Sequence, residues 1–234
     1  MQQADFDTAT PDKAHEAYKR IRAALNLYRS PPGAFLNIRT VAQRLRVSAT
    51  PVREALIRLA HEEVIGFIRG RGYYTKTLDA GDIIADYALA SIMLKSSIEM
   101  TTGHFTLSSG VFQDLWQGQP VIDELQALAI SLRVEALYES VAHISANRRL
   151  ICGIESFCAR TGQMRQFGLL SSPAIHEALW SLHTLSEAML AGKRSLAAKI
   201  VRKHTRLIID AVPELAMELN QKAQLSKLRL EDLL

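Results

Sequence analysis

The chain has 234 residues, 48% apolar and 22% charged, which excludes a disordered chain and leaves room for one large domain or two modest ones. A charge interrupts every long apolar stretch and the N-terminus is polar, so the expected setting is cytoplasmic, with no membrane partner. The net charge of +4 is unevenly placed: residues 13–76 hold 13 basic and 4 acidic side chains, which fits equally a polyanion-binding domain joined to a nearly neutral remainder and a basic solvated face with no partner.

Residues 1–12 read as a flexible tail. Over 14–28, Ala17, Ile21, Ala24, Leu25 and Tyr28 recur at helical spacing and predict a first helix, which the run Ser30-Pro31-Pro32-Gly33 stops. Ile38, Val41, Ala42 and Leu45 predict a second over 38–45, with Arg39, Gln43 and Arg44 on its outer face. Val47 is the expected apolar plug of a short turn between steeply crossing helices.

Ser48 or Thr50 can cap the third helix, and Pro51 suits its first turn, where a missing N–H has no intrahelical partner to lose. Val52, Ala55, Leu56, Leu59 and Ala60 form its apolar face, leaving Thr50, Arg53 and Ile57 opposite. A capped core helix accounts for the hydroxyls and the proline; it does not call for Arg53. Two β-rich runs, 64–69 and 73–77, then flank Gly70-Arg71-Gly72, a hairpin signal. Helix, helix-turn-helix and hairpin is the winged-helix order, whose basic tip at Arg69 to Arg71 is placed to meet phosphates or a minor groove.

Beyond Leu78 the sequence reads as helix after helix, at 80–101, 120–145, 147–166, 171–191 and 194–220, with a short one near 111–117. The expected fold class is therefore mainly α: a winged helix-turn-helix domain over 13–78, an all-helical bundle over 79–221, and a C-terminal tail over 222–234. Such a bundle serves equally for ligand binding and for dimerisation. Cys152 and Cys158, six apart on one predicted helix, read as free packed thiols.

The stretch PPGAFLNIRTVAQRLRVSATPVREALIRLAHEEVIGFIRGRGYYT resembles the winged-helix domain of GntR-type transcriptional regulators, over roughly residues 14–77. The resemblance implies that Arg39 and Arg44 face the DNA. It sets Ser48, Thr50 and Arg53 at the major groove, with Arg53 suited to a bidentate guanine contact, and Arg69 and Gly70 at the wing tip. The sequence departs from the family at Ala49, where arginine is common, and at Arg46, where glycine is usual; both bear on operator choice.

The helical half is similar to the effector domain of the FadR branch, on LKSSIEM (94–100), LYESVAHISANRRL (137–150) and AMLAGKRSLAAKIVRKH (188–204). Many members of that branch hold a divalent metal with one aspartate and three histidines. Carried onto this chain, those positions fall on Val134, Tyr138, Leu182 and His204, with His183 next to the third. One residue rotates a helical side chain by about 100°, so His183 is no direct substitute. His176 and His183 lie about 10 Å apart along one face, too far to share an ion. The expectation is therefore no metal and no other cofactor, with Lys95, Tyr138, His183 and His204 as the polar points of an effector pocket.

The functional expectation is a homodimeric, sequence-specific DNA-binding regulator, acting as a repressor on a double-stranded operator. A small-molecule effector, an organic acid or acyl-type metabolite, would tune its affinity. Two other readings stand beside it: a helical interaction scaffold without effector, and an enzyme built on His176, His183 and His204 with Glu139 or Glu177. No nucleophile–base constellation, HExxH, phosphate loop or dinucleotide glycine pattern supports the last, so no catalytic residue is expected.

Overall fold

A computed structural model of the chain describes residues 12–101, 105 and 122–234, which divide into two units. The short helix expected near 111–117 and most of the N-terminal tail lie outside the described residues.

The first unit takes in the chain up to Lys76 together with residues 223–234. Helix α1 (Lys13–Asn26) starts at Asp12, whose carboxylate accepts from the N–H groups of Ala14 and His15 at 3.0 and 3.2 Å. It buries Ala17, Ile21, Ala24 and Leu25 and packs against α3 (Ala49–His61), whose Val52, Ala55, Leu56 and Leu59 are at most 2% exposed. Between them, α2 (Ile38–Leu45) is capped by the Asn37 side chain and ends on Arg46, held in the left-handed conformation at φ 57°, ψ 42°. Ser48 occupies the N-cap of α3 in extended backbone but its side chain makes no cap hydrogen bond there. The hydroxyl cap foreseen from the sequence is thus absent at Ser48, and its oxygen stays exposed.

Strands β1 (Ile65–Ile68) and β2 (Gly72–Thr75) pair antiparallel, with Ile65 opposite Thr75 and Ile68 opposite Gly72. The connecting turn closes through Arg71 N–H donating to the Ile68 carbonyl at 3.0 Å. Gly70 and Gly72 take φ values of +83° and +106°, which a side chain at either position would strain.

Residues 222–234, expected as a tail, prove more ordered than that: a short 3₁₀ turn (Leu230–Leu233) packs against α1 and α2. Leu230 is 1% exposed, and the Glu231 carboxylate accepts the Asn37 N–H at 2.6 Å. Arg20 donates to the Leu234 carbonyl at 3.1 Å. An apolar side chain and two acids at the right spacing find partners on a basic, partly apolar surface, which is why this segment does not stay free.

The second unit spans Thr77–Lys222. Its helices are α4 (Ala80–Glu99), α5 (Glu124–His143), α6 (Arg148–Ser171), α7 (Pro173–Leu190) and α8 (Arg194–Leu225), the last running on past the unit's end. Asp79, Asp123 and Asn147 cap α4, α5 and α6 with their side chains, and at α5 Gln126 completes a capping box. Helix α6 is the innermost: every residue from Thr161 to Leu169 is buried, and it packs on both α4 and α5. Among the described residues this unit contains no strand, so the mainly α class with one small β wing holds.

Candidate nucleic-acid interface and helical core

The residues foreseen at the DNA lie on three elements of the first unit. Arg39 and Arg44 are exposed on α2; Ser48, Thr50 and Arg53 are exposed at the start of α3; Arg69, Gly70 and Arg71 are exposed on the wing turn. Thr50, Arg53 and Ile57 follow one another at helical spacing on the side of α3 away from its buried face, and Ile57 is 57% exposed. Arg53 has no ion pair or hydrogen bond among the described residues, so its guanidinium is available to a ligand. Two of the expected cations are engaged: Arg44 pairs with Asp232 at 3.5 Å, and Arg71 lies 4.6 Å over the ring of Phe35.

Arg58 shows what a structural arginine in the same helix looks like. It donates to Glu62 at 2.9 Å and stacks 3.9 Å over the Tyr18 ring, whose hydroxyl donates to the same carboxylate at 2.6 Å. Burial and that carboxylate raise the Tyr18 pKa well above its usual value. Arg53 and Arg58 therefore divide one helix into an exposed cation without a protein partner among the described residues and a fold-holding one.

Residues 13–74 match the sequence model of the bacterial regulatory proteins of the gntR family. That match identifies the first unit as a gntR-family domain, of the kind found in bacterial regulatory proteins. A curated relative, the Nta operon transcriptional regulator of Aminobacter aminovorans, is 25% identical over 189 residues, covering 80% of this chain and 89% of its own length. Among solved structures, E. coli McbR/YncC is 18% identical, covers 88% of this chain and 99% of its own, and superposes with a TM-score of 0.63. A GntR transcriptional regulator from Rhodococcus sp. RHA1 is 19% identical over 88% of this chain and 98% of its own, with a TM-score of 0.60. The two structures show that the fold is shared.

In the helical unit, the structure brings together two of the four residues expected around an effector. The Tyr138 hydroxyl donates to Nε2 of His204, and Nδ1 of that ring meets the Ala178 carbonyl at 3.0 Å and the Ser181 hydroxyl at 2.9 Å. Both side chains are at most 2% exposed. A donor at Nε2 and a carbonyl at Nδ1 select the neutral ring with its proton on Nδ1. Burial, helped by the charge of Arg165, lowers the His204 pKa to about 4, and burial raises that of the Tyr138 phenol well above its usual range.

The other two expected residues lie elsewhere. Lys95 sits on the exposed side of α4 and pairs with Glu99 at 3.7 Å. His183 is half-buried beside Trp180, ring centroids 5.4 Å apart. Each follows directly after a buried leucine, Leu94 or Leu182, and the helical step turns it outward.

The metal of the FadR branch does not fit this donor set. Val134 and Leu182 offer no ligand atom, and His204 has both nitrogens engaged by protein groups.

Sequence reasoning missed a second buried group. Arg165 of α6 pairs with Glu135 of α5, and its remaining N–H groups donate to Ser131 at 3.1 Å, Thr161 at 3.0 Å and the Cys158 carbonyl at 3.1 Å. The Glu135 carboxylate raises the Arg165 pKa against the opposing effect of burial. Nearby in sequence, Gln166 is 3% exposed and its Oε1 has no hydrogen-bond partner.

Proposed function

We propose that this regulator binds a pseudo-palindromic operator as a homodimer, with Arg53 of each copy reading a base edge and Ser48 and Thr50 fixing α3 in the major groove. Arg39, Arg44, Arg69 and Arg71 supply phosphate contacts, and Gly70 lets the wing turn approach the backbone closely. The carrying observation is the unpaired, exposed guanidinium of Arg53 at the open end of α3. Repression by promoter occlusion is the proposed mode. Selection of bound duplexes from a random pool tests it: a single enriched inverted repeat is expected. A flat salt dependence of duplex binding would argue instead for a protein partner.

We further propose that the helical unit, read as a FadR-branch effector domain, takes an organic acid or acyl-type metabolite without a metal. The buried, unsatisfied Oε1 of Gln166 supports this, because a buried acceptor without a donor is what a ligand or an ordered water meets. Tyr138 and His204 stay within that proposal; Lys95 and His183 leave it. A thermal-shift screen of organic acids and acyl derivatives, with and without divalent metals, tests it. No stabilisation by any of them would favour the scaffold reading, which the mutually satisfied Arg165 and His204 networks also suit.

A further inference from the structure

Helix α4 is apolar on two sides. Its inward face, Ile83, Tyr87, Ala90, Leu94 and Ile98, is buried in the helical unit. Its outward face keeps Ala85, Ala88, Leu89 and Ile92 exposed, Leu89 at 49% and Ile92 at 63%, between an exposed Asp82 and an exposed Lys95. A 20-residue helix with an apolar stripe on each side is built for a second neighbour.

The order of residues on this outer face identifies the neighbour. About a point midway between Ala88 and Leu89, Ala85 is the counterpart of Ile92, and Asp82 is the counterpart of Lys95. A face whose counterparts about one point pair small with large and acid with base is complementary to itself under a two-fold rotation, as an isologous contact requires. Two copies of α4 laid antiparallel across that point set each Ile92 over the other copy's Ala85 and close Leu89 around the axis. Each Asp82 then stands within side-chain reach of the other copy's Lys95.

Other registers are worse. Sliding one copy by a turn in one direction puts Asp82 opposite Glu99, like against like; sliding it the other way puts Asp82 opposite Ile92. The pair that Lys95 makes with Glu99, 3.7 Å apart and about half exposed on both sides, is too weak to hold it from a better-placed acid.

We propose that the outer face of α4 is the seam by which two copies of this chain associate, centred between Ala88 and Leu89 and set in register by Asp82 and Lys95. The proposal rests on the dimeric reading given above and names the surface that carries it.

Sedimentation equilibrium of the full chain tests both, with circular dichroism to check that each variant folds. The wild type is expected to be dimeric, and Leu89→Glu to raise the dimer dissociation constant at least about thirtyfold. Leu132→Glu, at an exposed position of α5, is expected to leave it unchanged. Lys95→Asp alone should weaken the dimer and the double exchange Asp82→Lys with Lys95→Asp should restore it; these surface changes keep the test open if Leu89→Glu misfolds. A dimer indifferent to Leu89→Glu, one broken only by Leu132→Glu, or a double exchange without recovery overturns the seam and leaves the dimeric reading standing. A wild type that is monomeric both free and on DNA overturns both.

Discussion

Nε2 of His204 accepts the Tyr138 hydroxyl proton, 66 residues away in sequence, while its Nδ1 is turned to the Ala178 carbonyl. The ring is thereby held neutral in the interior of the helical unit. Where the family resemblance implies a metal ligand, this chain has a hydrogen-bonded core residue.

That burial couples stability to pH. The folded-state pKa of His204, lowered to about 4, lies below the ordinary histidine value of about 6.5. The unfolded chain therefore binds the proton more tightly between those two values. The stabilisation is fully present above about pH 6.5, declines as pH falls through that window, and is gone below about pH 4, with an upper size of about 3 kcal/mol. Urea unfolding from pH 4 to 8 should show that slope in the wild type, and His204→Gln should flatten it. An equal slope in the variant would assign it to other groups.

The Arg165–Glu135 pair makes a prediction of opposite sign for one and two changes. Glu135→Leu leaves a buried guanidinium unpaired and should cost about 3–5 kcal/mol. Adding Arg165→Met removes the orphaned charge and should recover most of that loss, since an apolar pair of similar volume is often no less stable than a buried ion pair. Denaturant midpoints of the two variants, compared at one pH, decide it.

At the DNA, Arg53→Ala should cost about 1–3 kcal/mol of operator affinity and relax the preference at one base position. Arg58→Ala should leave base preference intact and instead lower stability, because Arg58 is occupied by Glu62 and Tyr18. Titrations against the selected operator and its single-base variants, alongside thermal melts, separate the two arginines.

The turn at Leu230–Leu233 should matter to the DNA-binding unit although it lies far from it in sequence. Leu230→Ala opens a buried site and should destabilise that unit by about 2–5 kcal/mol. Hydrogen exchange in α1 and α2 should rise in step. Unchanged exchange there would mean that the turn rides on the unit without supporting it.

Much of this was legible in the sequence. Helix α2 falls on the predicted 38–45 because an asparagine cap, one apolar stripe and an abrupt reversal mark both ends locally. The wing was legible for a similar reason: two glycines with positive φ leave the chain few alternatives. What was not legible depends on distance along the chain. Nothing near Asn37 announces that its N–H is met by Glu231, and nothing near Arg165 announces Glu135, so a lone arginine among apolar residues reads as a surface break. Lys95 and His183 are a different case. The series Ile83, Tyr87, Ala90, Leu94, Ile98 already excludes Lys95 from the inward face, and Ala178, Leu182, Leu185, Met189 excludes His183. The periodicity of each helix held that information.

Arg46 ends α2 in the left-handed conformation. A left-handed residue with a side chain is less stable than glycine there by about 1–2 kcal/mol. The chain accepts that local cost at the turn leading into α3, where it keeps an exposed cation that, under the proposed function, adds to the field drawing a duplex in from solution. If the proposed operator binding holds, Arg46 acts on the speed of encounter rather than on the reading of bases. A regulator without arginine at position 49 keeps a charge within a few residues of it, on the backbone least suited to hold one.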